Sequence, residues 1–442
     1  MRRKRPIQAA AAVPAVRLCL RHLAAALAAV LVLGAAPARA AELGLVTDLT
    51  WGAPAADQER EYRLMGDLGA RWVRVSVNWA EVERERGRMN AWSLGQVDAA
   101  VRRNLAAGRH VVVMVGEAPQ WASGSPYQDT PPRDPAAYGR FVGFLAQRYA
   151  GAGVDGYEIW NEENIARFWG RRAPDAAAYV GLLRAGSAAV RRADPAAKVV
   201  FGGLSTNDAG YLRAAYAAGA KGLFDVMALH PYTCDPRLDL VRSASFLGYR
   251  TVRALMVAHG DPRPMWFTEL GWSTTSQACG VSERAQARRL ARAVALMDRD
   301  RYVRAAMIYS LRDNPWEAGA DTREGRFGLM TAGFRAKPAY ATFKALAHGG
   351  ARARVVSLRV RARRGSRRAL RVVGRVAGAK AARARVAVEL RRHGRARLRR
   401  VVRAHRGGRF GVVVRGARRG HYRAVARLVE RPHIRLARTF SL

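Results

Sequence analysis

Short apolar runs alternate with longer amphipathic segments along residues 41–347. The longer segments carry apolar residues at helical spacing, as in Val97–Ala107, Ala136–Tyr149, Ala176–Arg192 and Ser282–Met297. The short runs give eight strand candidates: Leu43–Leu49, Trp72–Val77, His110–Val115, Gly156–Trp160, Lys198–Gly203, Phe224–His230, Met265–Leu270 and Ala305–Leu311. Because parallel strands need a crossover between them, this alternation predicts an α/β fold with a parallel sheet. Eight units in about 300 residues have the count and size of a (β/α)8 TIM barrel, with an open doubly wound sheet as the alternative.

Residues 351–442 have a different pattern, in which Val and Arg alternate in short runs separated by breaks that contain glycine. The runs are Arg354–Val360, Ala369–Val376, Arg385–Leu390, Phe410–Val414 and His421–Leu428. An alternation of period two with turns at this spacing predicts a small all-β, sandwich-like domain with apolar residues inward and arginines outward. We therefore divide the chain into residues 1–40, 41–350 and 351–442.

The net charge of +43 lies mostly at the two ends of the chain. Residues 1–40 have 7 basic and no acidic residues, and residues 351–442 have 30 basic and 2 acidic residues. The middle segment keeps 40 basic and 32 acidic residues, an ordinary balance for a globular domain. Nucleic-acid binding does not follow from the total charge. The basic C-terminal region has three interpretations: it binds an acidic envelope polymer, it binds nucleic acid, or its arginines are a solvated face. The predicted export and the lack of a recognition motif argue against nucleic acid.

The first forty residues have the pattern of a secretory signal peptide. Arg2–Arg5 is a basic start, Leu23–Ala36 is an apolar run, and Ala38–Ala40 is a small-x-small cleavage site. We predict cleavage after Ala40 and a secreted or cell-surface protein, with a retained membrane anchor as the alternative. No later stretch approaches the roughly 20 apolar residues that a membrane span needs, so we predict no transmembrane span in the mature chain.

Cysteine usage fits an exported chain. Cys19 lies in the predicted leader, which leaves Cys234 and Cys279. These two follow the sixth and seventh predicted strands, which are neighbours in a barrel, so a disulfide is one interpretation and two free thiols are the other. There is no CxxC motif, no His/Cys cluster at metal-ligand spacing and no GxGxxG after the first strand. We therefore predict neither a metal nor a cofactor.

Reactive residues in a TIM barrel lie at the carboxyl ends of its strands. Two carboxylates stand there, Glu162 after strand four and Glu269 in strand seven. Around them lie further polar and aromatic candidates: Arg74, Asn78, Asn161, His230, Tyr232, Trp272 and Tyr309. Trp121, Trp272 and Trp316 could supply flat faces on which sugar rings stack. Two carboxyl groups at one rim suit glycosidic bond cleavage, in which one protonates the leaving oxygen and the other attacks or stabilises the anomeric carbon.

Two segments resemble motifs of clan A glycoside hydrolases, which include families 5 and 39. Tyr157–Asn164 (YEIWNEEN) resembles their WNEPN segment, and Trp266–Trp272 (WFTELGW) is similar to their strand-seven nucleophile segment. The resemblance covers most of residues 41–347 in order and spacing. It implies a retaining mechanism with Glu162 as acid/base and Glu269 as nucleophile. It also implies that Asn161 binds the sugar 2-hydroxyl, that Arg74 and Tyr232 orient Glu269, and that His230 lines the sugar site.

The sequence departs from the clan pattern at two positions. Glu163 stands where proline is usual, and Tyr309 stands where many relatives have a sugar-stacking tryptophan. Glu162 and Glu269 could instead be ordinary rim carboxylates in ion pairs. Glu158 is expected to be a buried partner of an arginine such as Arg74. His230 could equally be a satisfied core histidine.

We therefore expect an exported retaining glycoside hydrolase that acts on a β-linked polysaccharide or oligosaccharide. One alternative is a non-catalytic glycan-binding protein of the cell surface that keeps the barrel and its aromatic platforms. Another is a secreted scaffold in which the C-terminal region carries the function. The sugar, its linkage and endo or exo action depend on the loops 116–135, 231–245 and 312–330, whose shapes the sequence pattern does not give.

Overall fold

The computed structural model describes residues 41–241, 244–348, 354–363, 369–377, 384–392, 395–405, 409–415, 421–429 and 435–441. The predicted leader, residues 1–40, and the predicted boundary near residue 350 lie outside the described residues. Both therefore stay predictions.

Nine parallel strands form one curled sheet between residues 42 and 308. They are β1 Glu42–Val46, β2 Trp72–Asn78, β3 His110–Gly116, β4 Gly156–Ile159, β5 Lys198–Val200, β6 Leu204–Ser205, β7 Met227–His230, β8 Met265–Leu270 and β9 Val303–Ile308. Their order in the sheet is β5-β4-β3-β2-β1-β9-β8-β7-β6. The predicted (β/α)8 architecture is confirmed, and the open doubly wound alternative is wrong because the first and last predicted strands are hydrogen-bonded neighbours.

The predicted fifth strand, Lys198–Gly203, is split into β5 and β6. Two glycines in the break let other side chains approach the backbone closely. A Cβ on Gly202 would lie 2.0 Å from the Oε2 of Glu163, and a Cβ on Gly203 would lie 2.1 Å from the Nε2 of His230. The barrel closes on either side of this break, through a parallel bridge between Val200 and Val226 and through the pairing of β6 with β7.

Helices connect the strands: α1 Ala55–Leu68, α2 Trp79–Val82, α3 Ala91–Ala106, α4 Gln120–Ser123, α5 Pro135–Arg148, α6 Ala176–Ala193, α7 Ala209–Ala217, α8 Tyr249–Ala258, α9 Glu283–Met297 and α10 Pro338–Ala347. Side-chain caps fix where several begin. The carboxylate of Asp175 accepts hydrogen bonds from the backbone N–H groups of Ala177 and Ala178 at the start of α6. The hydroxyl of Ser282 accepts one from Ala285 at the start of α9. Such caps satisfy N–H groups that have no partner within the helix.

Two buried clusters make up the barrel core. The larger one contains strand and helix residues together, such as Val73, Ile159, Leu183 and Val294. The smaller one comes from the strands and the residue just before β7: Val46, Trp72, Val112, Val200, Val226, Ala228, Trp266, Ala305 and Met307. This second set matches the side chains that fill the interior of such a barrel. A packed interior leaves the rim above it as the place for a site.

The C-terminal region consists of two antiparallel sheets. The first has the order β10-β11-β14, with β10 Arg354–Arg363, β11 Ala369–Ala377 and β14 Arg409–Arg415. The second has the order β13-β12-β15-β16, with β12 Arg385–Arg392, β13 Arg395–Arg403, β15 His421–Leu428 and β16 Arg435–Ser441. Residues of both sheets share one buried cluster, in which Leu358 and Phe410 join Val386 and Tyr422. This confirms the predicted all-β, sandwich-like fold.

The five predicted C-terminal strands are present, and the structure adds β13 and β16. The sequence pattern does not predict β13, because arginines interrupt its apolar positions. Of its residues, only Leu398 and Val402 pack partly into the core. Across the part of the chain that the structure describes, no helix is both long enough and apolar enough to cross a bilayer.

Candidate active site

A cleft of about 380 Å³ opens where the barrel strands end. Every region of the rim contributes to it, since residues at or just after the ends of β1, β2, β3, β4, β6, β7, β8 and β9 all line the cleft. Six of the predicted site residues are among them: Arg74, Asn161, Glu162, Tyr232, Glu269 and Tyr309. The structure therefore brings together most of the polar candidates from five separate segments of the sequence.

Arg74 connects the charged groups below the cleft. It is 1% exposed, and its Nε and Nη2 donate to the two carboxylate oxygens of Glu158 at 2.7 and 3.2 Å. Its Nη1 donates to the Oε1 of Glu269 at 2.6 Å, and its Nη2 also donates to the amide oxygen of Asn161 at 2.8 Å. Glu158 is therefore a buried partner of Arg74, as predicted from the sequence. A rigid planar guanidinium with several partners fixes their relative positions.

Glu269 is surrounded by groups that favour its ionised form. Besides the contact with Arg74, the hydroxyl of Tyr232 donates to its Oε2 at 2.7 Å. Burial alone would raise the pKa of Glu269, but the positive charges of His230 and Arg74 and the hydrogen bonds from Tyr232 and Arg74 together lower it below the usual value. A carboxylate held ionised in a cleft has the property that a nucleophile needs.

Glu162 faces Glu269 across His230. Its Oε1 lies 2.9 Å from the Nδ1 of His230, and the same nitrogen lies 3.7 Å from the Oε2 of Glu269. One oxygen of each glutamate and one ring nitrogen of His230 all lie within 4.8 Å of one another. This separation is close to the roughly 5–5.5 Å of carboxyl pairs in retaining enzymes and shorter than the roughly 6.5–9.5 Å of inverting ones.

The backbone around Glu162 adopts an unusual conformation. Trp160 has φ +71° and Glu162 has φ +44°, in the left-handed region that residues with a Cβ rarely occupy. Surrounding contacts hold the segment in place, since the N–H of Trp160 donates to the hydroxyl of Tyr138 and its indole N–H donates to the carbonyl of Phe168. Strain of this kind concentrates at functional sites. Here it turns the Glu162 side chain toward the cleft.

His230 is buried, and a directed chain of hydrogen bonds orients it. The hydroxyl of Thr268 donates to the Oε1 of Glu158 at 3.0 Å, so its oxygen is left to accept from the Nε2–H of His230, also at 3.0 Å. The Nδ1 then shares one proton with Glu162. Burial lowers the pKa of His230, but the neighbouring charge of Glu269 and the hydrogen bond to Glu162 outweigh it, and the net change raises that pKa. His230 therefore lies beside both Glu162 and Glu269. It was expected to line the sugar site, but it is not among the described residues that line the cleft.

The three groups Glu162, His230 and Glu269 also have donor atoms close enough to share a metal ion. The sequence predicts no metal there. The Arg74 guanidinium, 2.6 Å from the Oε1 of Glu269, already neutralises that carboxylate and would repel a cation bound beside it. With this arginine, the set of groups suits proton transfer and attack by a carboxylate better than cation binding.

Glu163 is buried beside the acid/base candidate. It is 0% exposed, and within the described residues neither of its carboxyl oxygens has a hydrogen-bond partner of good geometry. Its side chain lies against the backbone of Gly202. Burial raises the pKa of Glu163 well above the usual value. The departure from proline therefore places a buried carboxyl beside Glu162.

The predicted aromatic platforms have different outcomes. Trp272 is 4% exposed and packs in the barrel core. Trp121 packs edge-on against Trp79 and donates its indole N–H to the carbonyl of Glu83. Neither belongs to the described residues that line the cleft. Trp316 is 51% exposed and lies 5.8 Å, centroid to centroid, from Trp51, which does line the cleft.

Several residues that line the cleft are not predicted from the sequence. Except for Thr206, which directly follows β6, they lie away from the strand ends: Trp51, Arg167, Phe168, Thr206, Arg323, Glu324 and Phe327. The last three fall in the loop 312–330 that the sequence marks as decisive for the substrate, but no local pattern indicates which of its residues face inward. Glu117, which directly follows β3, also lines the cleft. Burial and the charges of Asp129 and Glu81 raise the pKa of Glu117 to about 7.

A disulfide joins Cys234 to Cys279, with 4.9 Å between the Cα atoms. It links the loop after β7, which carries Tyr232, to the loop after β8, which follows Glu269. The predicted pairing is confirmed, and the free-thiol alternative is wrong. The bond ties together the two loops next to the Tyr232–Glu269 hydrogen bond.

The comparisons with known proteins support the fold. No protein-family model matches the sequence, and no curated protein matches it. Among solved structures, a family 39 glycoside hydrolase from the gut symbiont Bacteroides cellulosilyticus WH2 is 18% identical with a TM-score of 0.58, over 85% of this chain and 81% of that one. A monomeric β-xylosidase from Caulobacter crescentus CB15 is 17% identical with a TM-score of 0.56, over 85% of this chain and 93% of that one.

A GH5_18 enzyme from Bifidobacterium longum, bound to Manβ1-4GlcNAc, is 17% identical with a TM-score of 0.56, over 70% of this chain and 78% of that one. Residues 1–350 make up about four-fifths of the sequence, so the matches over 85% include part of the C-terminal region. At these identities the likeness concerns structure. The chain has the fold of clan A glycoside hydrolases such as those of families 39 and 5.

Proposed function

We propose that this protein is a retaining glycoside hydrolase that cleaves a β-linked polysaccharide or oligosaccharide by double displacement. The observation that carries the proposal is the pair Glu162 and Glu269, whose carboxyl oxygens lie within 4.8 Å of each other at one cleft. The environments of the two differ, since Glu269 is held ionised by Arg74 and Tyr232 while Glu162 shares a proton with His230. Such asymmetry assigns the two roles.

In the first step, Glu162 gives its proton to the glycosidic oxygen as the bond between that oxygen and the anomeric carbon breaks. The Oε of Glu269 attacks the same carbon from the opposite face and forms a covalent glycosyl ester. In the second step, Glu162 takes a proton from water, and the resulting nucleophile displaces Glu269. The two inversions give net retention, and both glutamates return to their initial states.

Asn161 and Arg74 support this chemistry by position. Because the amide oxygen of Asn161 accepts from Arg74, its NH2 group is directed away from that bond and, in the described part of the chain, has no other partner. We assign that NH2 the role of donor to the sugar 2-hydroxyl, a contact that strengthens in the transition state of such enzymes. Trp51, Phe168, Tyr309 and Phe327 line the cleft and supply apolar faces for sugar rings.

A panel of aryl β-glycosides tests the proposal. The wild type should turn over at least one of them, and Glu269→Gln should lose about a thousandfold or more in kcat, because no carboxylate remains to form the ester. Glu162→Gln should lose kcat/KM chiefly with poor leaving groups, because activated ones depart without a proton. Its kcat should fall with every substrate, because Glu162 also takes the proton from water in the second step. Glu85→Gln changes an exposed carboxylate paired with Arg88 and serves as the control.

Two outcomes would reject the proposal. If the wild type binds glycans but turns over none of a broad panel of aryl glycosides and envelope polysaccharides, the chain is the glycan-binding alternative. If both glutamine variants keep wild-type turnover, another set of residues carries the reaction.

We also propose that the chain is exported to an oxidising compartment. The leader-like residues 1–40 and the disulfide between Cys234 and Cys279 support this. The mass of the protein recovered from its native compartment should correspond to a chain that begins at Ala41. A recovered protein that keeps residues 1–40 would favour the retained anchor.

A further inference from the structure

The outward face of the four-stranded C-terminal sheet carries arginines on neighbouring strands. In the register of that sheet, Arg385 of β12 lies directly opposite Arg403 of β13, and the adjacent Arg427 of β15 lies opposite Ala387 of β12. All three are exposed, and each alternates with a residue that packs inward, namely Val386, Val402 and Leu428. We call Arg385, Arg403 and Arg427 the arginine row.

Few negative charges oppose this row. Residues 351–442 contain two acidic residues against 30 basic ones. One of the two, Glu389, lies on the same face. It pairs with Arg391 at 2.5 Å and with Arg399 at 3.8 Å, and its charge also interacts with that of Arg427 at longer range. Within the described residues, none of the three row arginines forms an ion pair with a carboxylate at salt-bridge distance.

The arrangement has an energetic consequence. Side chains directly opposite each other on antiparallel strands have Cβ atoms about 4.5–5.5 Å apart, and like charges in such pairs destabilise the sheet. An anion placed over the row would relieve this repulsion and gain charge-assisted hydrogen bonds from several guanidinium groups. The row crosses the strands, so a linear polyanion lying across them could contact all three arginines in succession.

We propose that the arginine row binds an acidic polysaccharide through its carboxylate or phosphate groups. The outward positions among these arginines hold Ala387, Val401 and Val425, so this described patch offers no aromatic face on which a nucleic-acid base could stack. The choice of a polysaccharide over a nucleic acid rests on the proposed function, because a surface of this kind would hold a glycosidase on its polymeric substrate. The basic row itself does not depend on that function.

The test measures binding of the full mature chain to polygalacturonate, a linear polyuronate, with an uncharged glucan for comparison. The triple variant Arg385→Gln/Arg403→Gln/Arg427→Gln removes the row. The matched control Arg102→Gln/Arg213→Gln/Arg288→Gln removes the same charge from exposed positions of the barrel. We expect wild type and control to bind polygalacturonate alike and the row variant to bind at least about tenfold more weakly. Binding should weaken with salt, and the glucan should not be held by the row.

Three results would overturn the proposal. They are unchanged binding by the row variant, an equal loss in the control, or duplex DNA held as tightly as polygalacturonate with the same dependence on the row. Thermal unfolding of the row variant checks its folding, and its Tm should equal or exceed that of the wild type because repulsion is removed. Aryl glycoside turnover is followed separately. If the wild type turns over no aryl glycoside but binds polygalacturonate through the row, the proposed function is rejected and the proposal for the arginine row is not.

Discussion

The residue that organises this site is Arg74, whose guanidinium contacts Glu158, Asn161 and Glu269. The sequence indicates most of the charged participants because they follow strand ends within recognisable motifs. It does not reveal Thr268, which orients His230, because a threonine inside a strand has no distinctive spacing. Trp272, in contrast, was predicted to contact substrate and does not line the cleft. Its place just after β8 indicates a platform, but the chain turns its ring into the core.

The hydrogen bond from Tyr232 to Glu269 leads to a prediction about pH. The bond favours the ionised carboxylate, so Tyr232→Phe should raise the pKa of Glu269. The acid limb of kcat/KM reports the ionisation of the proposed nucleophile in the free enzyme, so that limb should move to higher pH by about one unit. A pH profile on one aryl glycoside measures it, with Tyr340→Phe, a distant tyrosine bonded to Asp67, as the control. An acid limb that stays in place would show that Tyr232 does not stabilise the charge.

At the scale of elements, the alternation of apolar runs and amphipathic segments was sufficient to locate all eight barrel strands. The alternation does not predict the break between β5 and β6, because the break depends on Glu163, which follows β4, and on His230 of β7, whose side chains approach Gly202 and Gly203. β13 and β16 were missed for a related reason. In this basic sheet, arginines interrupt the alternation of apolar residues that would predict a strand. The two strands are recognised only from their pairing, β13 with β12 and β16 with β15.

The close approach at Gly203 can be tested by adding one methyl group. In Gly203→Ala the new Cβ would meet the ring of His230 at 2.1 Å, so the imidazole must shift and release Glu162. We expect a lower Tm and a loss of about tenfold or more in kcat. The control is Gly95→Ala in α3, where a Cβ meets nothing within 4 Å and helix propensity favours alanine. Normal activity and Tm in Gly203→Ala would contradict the packing described here.

At the scale of the whole molecule, several buried acids share one direction of pKa change. Burial raises the pKa of Asp48 to about 6, of Glu61 to about 8 and of Glu117 to about 7, and it raises that of Glu163 well above its usual value. The unfolded chain loses these protons near pH 4 to 5, whereas the folded chain keeps them. Between that pH and the raised pKa values, which reach about 8, the folded state binds more protons than the unfolded state, so its stability decreases as the pH rises through this window. The raised pKa of His230 acts in the same direction.

The resulting prediction is that Tm falls between pH 5.5 and pH 8. Glu163→Gln removes one of the contributing groups, so its Tm should fall less steeply over the same interval, whatever its absolute value. Comparing the slopes of Tm against pH for the two proteins measures the effect. A wild-type Tm that rises over this interval, or parallel slopes for the two proteins, would contradict the burial described for these carboxyls.

The central claim is that Glu269 attacks the anomeric carbon while Glu162 serves as the acid, and trapping the covalent intermediate tests it most directly. The wild type is incubated with a 2-deoxy-2-fluoro glycoside that carries an activated leaving group, using a sugar that the aryl glycoside panel shows to be turned over. Intact mass followed by peptide mapping should show one fluoroglycosyl group, attached to Glu269. An adduct on a different residue, or products with inverted anomeric configuration, would contradict the account.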